Sequence, residues 1–342
     1  MSKATLLASL FVLIVSTSAT ASEIDAQRGS ATVSWLAVSA HARDAAMGNT
    51  GTFNDRDAGA AFQNPAGLGR IAGGSMYFNH NRWIAGMSVT DFAVAYAVPY
   101  MSTLALTVRS MDYGSFEFTR RADNPAGYVE IGNNQVGTVG GLLLGGAWGT
   151  KLTEQLSFGV QAKYVRDQLG STTVPSVGGD SLLTSNVLVD GLLYDAGTYF
   201  DTKWRSVAFT MAIQNVGQRI TASTGRGGFS APMTFKVGIA ADLFQLIDVT
   251  DLPVYLRTRV EGVDPRDAPE HIRFGSELAY DITPQISASL RGGHFRHEDG
   301  GLTLGFGICG DFGIGNASFD YAYVDYGSAL GAVSMFGIAL GF

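Results

Sequence analysis

Ser334-Met335-Phe336-Gly337-Ile338-Ala339-Leu340-Gly341-Phe342 ends the chain. Phe336, Ile338, Leu340 and Phe342 alternate with Gly337, Ala339 and Gly341. Successive side chains of a β-strand point to opposite faces, so all the bulk falls on one face and the other is nearly bare. A strand of a soluble sheet usually sets an apolar face against a polar one. A greasy outside with a small-residue inside suits the wall of a closed barrel in lipid.

The opposite end predicts a compartment. Lys3 precedes an apolar run from Leu6 to Val15, followed by Ala19-Thr20-Ala21. This is the pattern of a secretory signal peptide, residues 1–21, cleaved after Ala21. The run is about half of the ~20 residues that a spanning helix needs. No later segment is an uninterrupted apolar run of that length. An exported membrane protein without spanning helices has one other way to cross a bilayer, a closed barrel. The terminal Phe342 looks like the membrane-sorting signal of bacterial outer-membrane barrels, so the expected surroundings are outer-membrane lipid.

Composition points the same way. Glycine is 44 of 342 residues, above the usual ~7%, and charged residues are 15% against a usual ~25%. Hydrophobic content is 46%, so long apolar segments do not explain the charge deficit. Strands with one lipid face and one crowded lumen face give this mixture. A net charge of −7 argues against nucleic acid as a partner. The one cysteine, Cys309, excludes an intrachain disulfide and a multi-cysteine metal site.

Counting back from Phe342, alternating segments bounded by turn residues recur. They lie near 334–342, 316–324, 302–310, 286–295, 271–281, 254–263, 233–241, 206–214, 188–200, 156–167, 136–148, 103–113, 92–99 and 73–80. The expected fold is therefore all-β: a transmembrane antiparallel barrel of about 14 strands over residues 73–342, the even number putting both ends in the periplasm. Periplasmic turns are short and outer loops longer in such barrels. Pro99–Ser102, Asp201–Arg205, Asp281–Pro284 and Gly313–Gly315 fall on the short side, and Tyr113–Gln135, Gln168–Val187 and Asn215–Pro232 on the long side. Asp242–Pro253 breaks the rule; its Leu243, Phe244, Leu246 and Ile247 suggest a short interfacial helix.

Alternation then sets the facing. Phe209, Met211, Phe235, Val237, Leu304, Phe306, Phe319 and Tyr323 go to lipid. Lys163, Lys236, Arg257, Arg259, Glu261, Arg273, Glu277, Arg291 and Asp320 go to the lumen. A charge on the lipid face near the midplane costs ~2–4 kcal/mol, so this segregation is expected of a correct register. The lumen charges read as a network of mutual pairs, or as a polar pathway or binding surface for a plug.

Residues 22–72 precede the wall, and 31–72 does not read as strand. It is rich in small residues from Ser39 to Asn49, and Ala58-Gly59-Ala60-Ala61-Phe62 suggests one or two helical turns. In Asn64-Pro65-Ala66-Gly67-Leu68 the proline lacks an N–H and restricts Asn64 to extended or turn geometry. Such a segment can fold compactly inside a lumen lined by Gly and Ala, as a hatch.

Ala45-Ala46-Met47-Gly48, Asp57-Ala58, Asn64-Pro65-Ala66-Gly67-Leu68 and Trp83 resemble the N-terminal signature of the PorV/PorQ family. Asn215-Val216-Gly217, Pro232, Arg273-Phe274-Gly275, Arg291-Gly292-Gly293, Gly301 through Gly307 and Asp320-Tyr321-Ala322-Tyr323 are similar to that family's C-terminal half. Asn49 stands where the family usually has a second glycine. The resemblance implies a FadL-like barrel of fourteen strands with an inward-folded hatch carrying Met47, Gly48, Asp57, Asn64, Pro65 and Gly67. It also implies a role in type IX secretion, with secreted cargo proteins and secretion-machinery components as partners.

No catalytic residues, cofactor or metal are expected. His294 and His297, with Glu298 and Asp299, sit at a strand end and outer turn, where solvated polarity is the expected reading rather than a metal site. No nucleophile elbow or phosphate loop occurs, and no His is placed mid-strand on a lipid face. In FadL-like barrels a strand irregularity opens a lateral exit, and the glycines of Val139–Gly146 are the candidate kink. Two functions compete: a PorV/PorQ-like binding and shuttle component of protein secretion, and a FadL-like channel for hydrophobic small molecules. In the second, Gly48, Gly51 and Gly67 would give the hatch backbone freedom.

Overall fold

The computed structural model describes residues 31–99, 102–114, 118–121, 128–131, 139–175, 182–222, 228–248, 253–295, 301–313 and 315–342. The expected signal peptide at 1–21, and His297, Glu298 and Asp299, lie outside the described residues.

Fourteen strands build the wall. They are β1 (Gly74–Arg82), β2 (Ser88–Val98), β3 (Ser102–Asp112), β4 (Gly140–Lys151), β5 (Leu156–Pro175), β6 (Leu182–Asp201) and β7 (Ala208–Gly217), then β8 (Thr234–Asp242), β9 (Val254–Pro265), β10 (His271–Thr283), β11 (Ile286–Phe295), β12 (Leu302–Asp311), β13 (Asn316–Asp325) and β14 (Ala332–Gly341). Each pairs antiparallel with its chain neighbours, and β1 pairs with β14 from Ser75↔Gly341 to Arg82↔Ser334, so the sheet closes on itself. Closure leaves no unpaired edge to face hydrocarbon. Each of the fourteen expected segments carries one strand. The largest departures are β5 and β6, which continue past 167 and 188 to Pro175 and from Leu182. A register shift between Gln168 and Ser171, with Gly170 at φ 100°, lets this hairpin bend and keep pairing.

At the end that carries Phe342 the connections 99–101, 152–155, 202–207, 284–285 and 312–315 are short, which marks that end as periplasmic. The long exception, 243–253, contains a helical turn at Leu243–Leu246, where Asp242 accepts from the backbone N–H of Phe244 and Gln245.

The facing follows the alternation. In β14, Met335, Gly337 and Ala339 are buried toward the lumen while Ile338 and Leu340 are exposed outward. Met211, Val237, Leu304 and Phe306 are likewise outward, and the nine expected lumen charges all point inward.

Residues 31–72 occupy the lumen. They form helix α1 (Ala42–Ala46), helix α2 (Ala60–Gln63), and 3-10 turns at Ser34–Ala37 and Pro65–Arg70. Much of the glycine excess is explained here. A Cβ at Gly149 or Gly159 would meet Pro65, at Gly275 or Gly293 would meet Met47, and at Gly305 would meet Ala46. The wall is glycine-rich because the plug's backbone runs directly against it.

The expected kink at Val139–Gly146 is absent. β4 pairs without a shift with β3 from Gly140 to Gly149, and with β5 from Gly140 to Lys151. Gly145 instead makes room for the side chains of Thr107 and Gln161. The irregularity lies at β7. There Gln214 and Asn215 oppose the single residue Asp195, with Asn215 at φ 57°. On its other side β7 stops pairing with β8 at Gln214↔Thr234, and pairing resumes only at Ile220↔Phe229. Residues 215–219 and 230–233 thus leave an interruption in the wall near its outer end.

Candidate functional site

The lumen is layered. Toward the outside, Val33, Trp35 and Val38 pack against Val89, Met111, Leu143, Val165, Val189, Leu193 and Ile220 as an apolar layer. Trp35 Nε1 donates to Asp167 (3.3 Å), as does the Tyr113 hydroxyl (2.9 Å). Arg109 pairs with Asp91 (2.5 Å) and donates through Nη1 to the carbonyls of Trp35, Leu36 and Val38. A cavity of about 260 Å³ adjoins this layer. Leu36, Val38, Phe62, Trp83, Phe295 and Tyr326 give it apolar walls, and Asn215 and Thr234 bring it to the interruption beside β7.

The middle layer fastens plug to wall. Arg259 donates to Asp44 (2.7 Å) and to the Thr50 carbonyl (3.0 Å). Glu261 accepts from the backbone and hydroxyl of Thr52 (3.1 and 2.7 Å). Lys236 reaches Gln63 (3.2 Å), and Arg273 the Asn49 carbonyl (3.3 Å). Thr303 donates to the Ala46 carbonyl and accepts from the Gly48 N–H, both at 2.9 Å. Lys163 is the exception: it bonds Asp195 and Asn215 at the β7 bulge, each at 2.6 Å.

Toward the periplasm, the fully buried Glu277 accepts from Arg43 (2.8 and 3.0 Å), Arg257 (2.8 Å) and Arg291 (2.7 Å), and Arg291 also reaches Asp320 (2.7 Å). The nine lumen charges therefore combine mutual pairs with anchors for the plug.

The six hatch residues are gathered in this interior. Asn64, extended at φ −153°, caps the following 3-10 turn through Ala66 N–H, and its amide donates to the carbonyls of Thr52 and Thr198. Pro65 opens that turn, where its missing N–H is no loss. Gly48 (φ 66°) and Asn49 (φ 60°) are both left-handed, a geometry that Asn tolerates better than most residues. Gly48, Gly51 and Gly67 are packed too tightly for a Cβ, against His294, Gln63 and Asn54 respectively, so close approach is their role in the seated plug.

Asp57 belongs to a buried polar cluster. It accepts from His41 Nε2 (3.0 Å), from Asn54 (3.2 Å) and from the Gly59 N–H (2.8 Å). The His41 ring stacks on Tyr77 at 4.3 Å between centroids. Burial alone would lower the His41 pKa, but Asp57 and then Asp44 outweigh it and hold the imidazole above its ordinary value. Burial would raise Asp57, but the His41 charge and hydrogen bond outweigh it and hold the carboxyl low. The His41 contribution to seating is thus complete below the ordinary imidazole value of ~6.5 and is lost as pH rises through the raised one. The Asp57 contribution is complete above the ordinary carboxylate value and is lost as pH falls through the lowered one. The protection of residues 41–57 against hydrogen exchange, taken relative to the base-catalysed intrinsic rate, is expected to fall in a step on alkalinisation through the raised His41 value, and His41→Gln to remove that step. A step of the same size in His41→Gln would rule His41 out as its source.

Arg43, Asp44, Asp91, Arg109 and Asp195 belong to these layers and were not singled out from sequence. The strand residues among them obey the same inward alternation, which is the signal that finds them. His80 corrects another expectation: it lies inside β1 on the outward face, beside Phe336 and bonded to Thr90 (3.0 Å), because β1 runs on to Arg82.

Among solved structures, this chain is similar to the toluene transporter TbuX of Ralstonia pickettii, with 15% identity over 87% of this chain and 96% of that one, at a TM-score of 0.54. It is similar to the toluene transporter TodX of Pseudomonas putida, with 12% identity over 87% and 95% and a TM-score of 0.51. A TodX deltaS2S3 mutant, a monoaromatic hydrocarbon channel, gives 12% identity over 87% and 96% and a TM-score of 0.53. No family model and no curated protein matches this chain, so the PorV/PorQ resemblance stands on the quoted residues alone. The fold is the closed antiparallel β-barrel that this chain shares with these channels.

Proposed function

We propose that this barrel admits small hydrophobic molecules from outside the cell, and that the interruption beside β7 is their lateral exit. The observation that carries this reading is the meeting of a cavity, apolar on one part of its wall and polar on the other through Arg109, Lys236 and Arg273, with a break in the wall's hydrogen bonding. An apolar solute entering from outside gains by leaving water for the walls of Leu36, Phe62 and Trp83. The break is latched by Asn215, whose amide donates to the Pro232 carbonyl (3.1 Å) and whose side-chain oxygen accepts from Lys163 (2.6 Å). The similarity to hydrocarbon channels supports the same reading.

Uptake of radiolabelled toluene by cells with an intact lipopolysaccharide layer tests it. Expression is expected to speed uptake, and Asn215→Ala to change the rate while the barrel stays folded. Unchanged uptake together with co-purifying secreted proteins would contradict it and favour the secretion role that the PorV/PorQ resemblance implies.

A further inference from the structure

We propose that the periplasmic end of the lumen holds a binding site for a carboxylate-bearing small molecule, gripped by Arg56 and Arg257. Two cavities of about 390 and 340 Å³ open there, and Arg43, Arg56 and Arg257 border both. Four guanidinium groups converge on the single carboxylate of Glu277. Arg43, Arg257 and Arg291 hydrogen-bond it, while Arg56 stays at 3.8 Å. The Arg56 side chain is 43% exposed and makes no side-chain hydrogen bond among the described residues; Arg257 is 33% exposed.

The acids around these cavities are engaged elsewhere. Asp57 is held by His41, Asp55 by Arg70 (3.2 Å) and Asp320 by Arg291 (2.7 Å). Asp242 caps its helical turn, Asp281 bonds Tyr255, and Asp311 accepts from the Gly313 N–H (2.9 Å). In the smaller cavity four arginines, Arg43, Arg56, Arg257 and Arg259, face two carboxylates, Asp55 and Asp242, and repulsion from Arg43 brings the Arg56 pKa down to about 10.

A guanidinium fork matches a planar carboxylate through two parallel hydrogen bonds. Asp281 and Asp311 at the rim repel a dianion more than a monoanion, which favours a carboxylate over phosphate. Phe53, Ala208 and Ala240 offer an apolar floor for the rest of the molecule. The site does not depend on the transport reading, because it is complete with the plug seated.

Titration calorimetry of the full chain in detergent, with benzoate at low salt, tests the proposal. Saturable binding is expected, weakened ~10-fold or more in Arg56→Gln and further in Arg56→Gln/Arg257→Gln. Heat-modifiable gel migration confirms that each variant remains a folded barrel. Absence of saturable benzoate binding to the wild type, or equal affinity in the double variant, would overturn the site. Inorganic phosphate displacing benzoate at equal concentration would overturn its assignment to carboxylates.

Discussion

Glu277→Gln is expected to loosen the plug, lower the unfolding temperature and admit polar solutes that the wild-type barrel excludes. Glu277 is fully buried and is the common acceptor for Arg43 of the plug and for Arg257 and Arg291 of the wall. Glutamine keeps the shape and removes the charge, so three arginines lose the anion that compensates them. Removing one partner of a buried ion pair typically costs ~3–5 kcal/mol, because the other partner stays buried and uncompensated. Arg291 retains Asp320 (2.7 Å), but Arg43 has no comparable substitute and so bears most of the loss. Hydrogen exchange should quicken first around α1, and outer-membrane permeability to hydrophilic antibiotics should rise. Exchange as slow as in the wild type would show that Glu277 does not anchor the plug.

Gly159→Val is expected to be strongly destabilising to the seated plug. A Cβ there falls far inside van der Waals contact with the Pro65 carbonyl group and the Ala66 nitrogen. These are backbone atoms, and no rotamer change moves them aside. Overpacking of this kind commonly costs ~1–3 kcal/mol or more. Valine branches at Cβ and adds two methyls to the collision, so the Pro65–Arg70 turn must leave its seat or β5 must bow outward. Gly146→Val is the matched control, since nothing lies within 4 Å of a Cβ at that outward position. Thermal unfolding in detergent should separate the two variants clearly. Equal stability would mean that the plug does not lie against β5.

Much of the wall was legible in the chain. The period-two signal in Phe336 through Phe342, repeated fourteen times, sets strand number, register and facing together, because a one-residue slip would send Glu277 and Arg259 to lipid. β5 and β6 run longer than the alternation indicates, because beyond the bilayer no lipid face enforces it. The plug was legible only in outline. Asn64-Pro65 announces a turn through backbone chemistry that proline cannot hide. By contrast, α1 is five residues long, and its Arg43 and Asp44 acquire meaning only from Glu277 and Arg259, more than two hundred residues away in the chain. The break beside β7 is illegible in the chain for a related reason. Glycine runs are a visible kink signal, yet the glycines of β4 serve close packing, while the actual bulge rests on Asn215, whose left-handed backbone leaves little trace in composition.

The claim that residues 31–72 sit inside a closed barrel meets its most direct test in a cross-link from the plug to the terminal strand. A Cβ on Gly337 would lie 3.3 Å from the Ala42 Cβ, close to the ~3.5–4.5 Å separation of disulfide-bonded cysteines. Ala42→Cys/Gly337→Cys, in a chain carrying Cys309→Ser, should oxidise to an intrachain disulfide in intact outer membranes, seen by mass spectrometry as one peptide joining α1 to β14. Two free thiols that both remain open to alkylation under the same oxidation would contradict the seated plug.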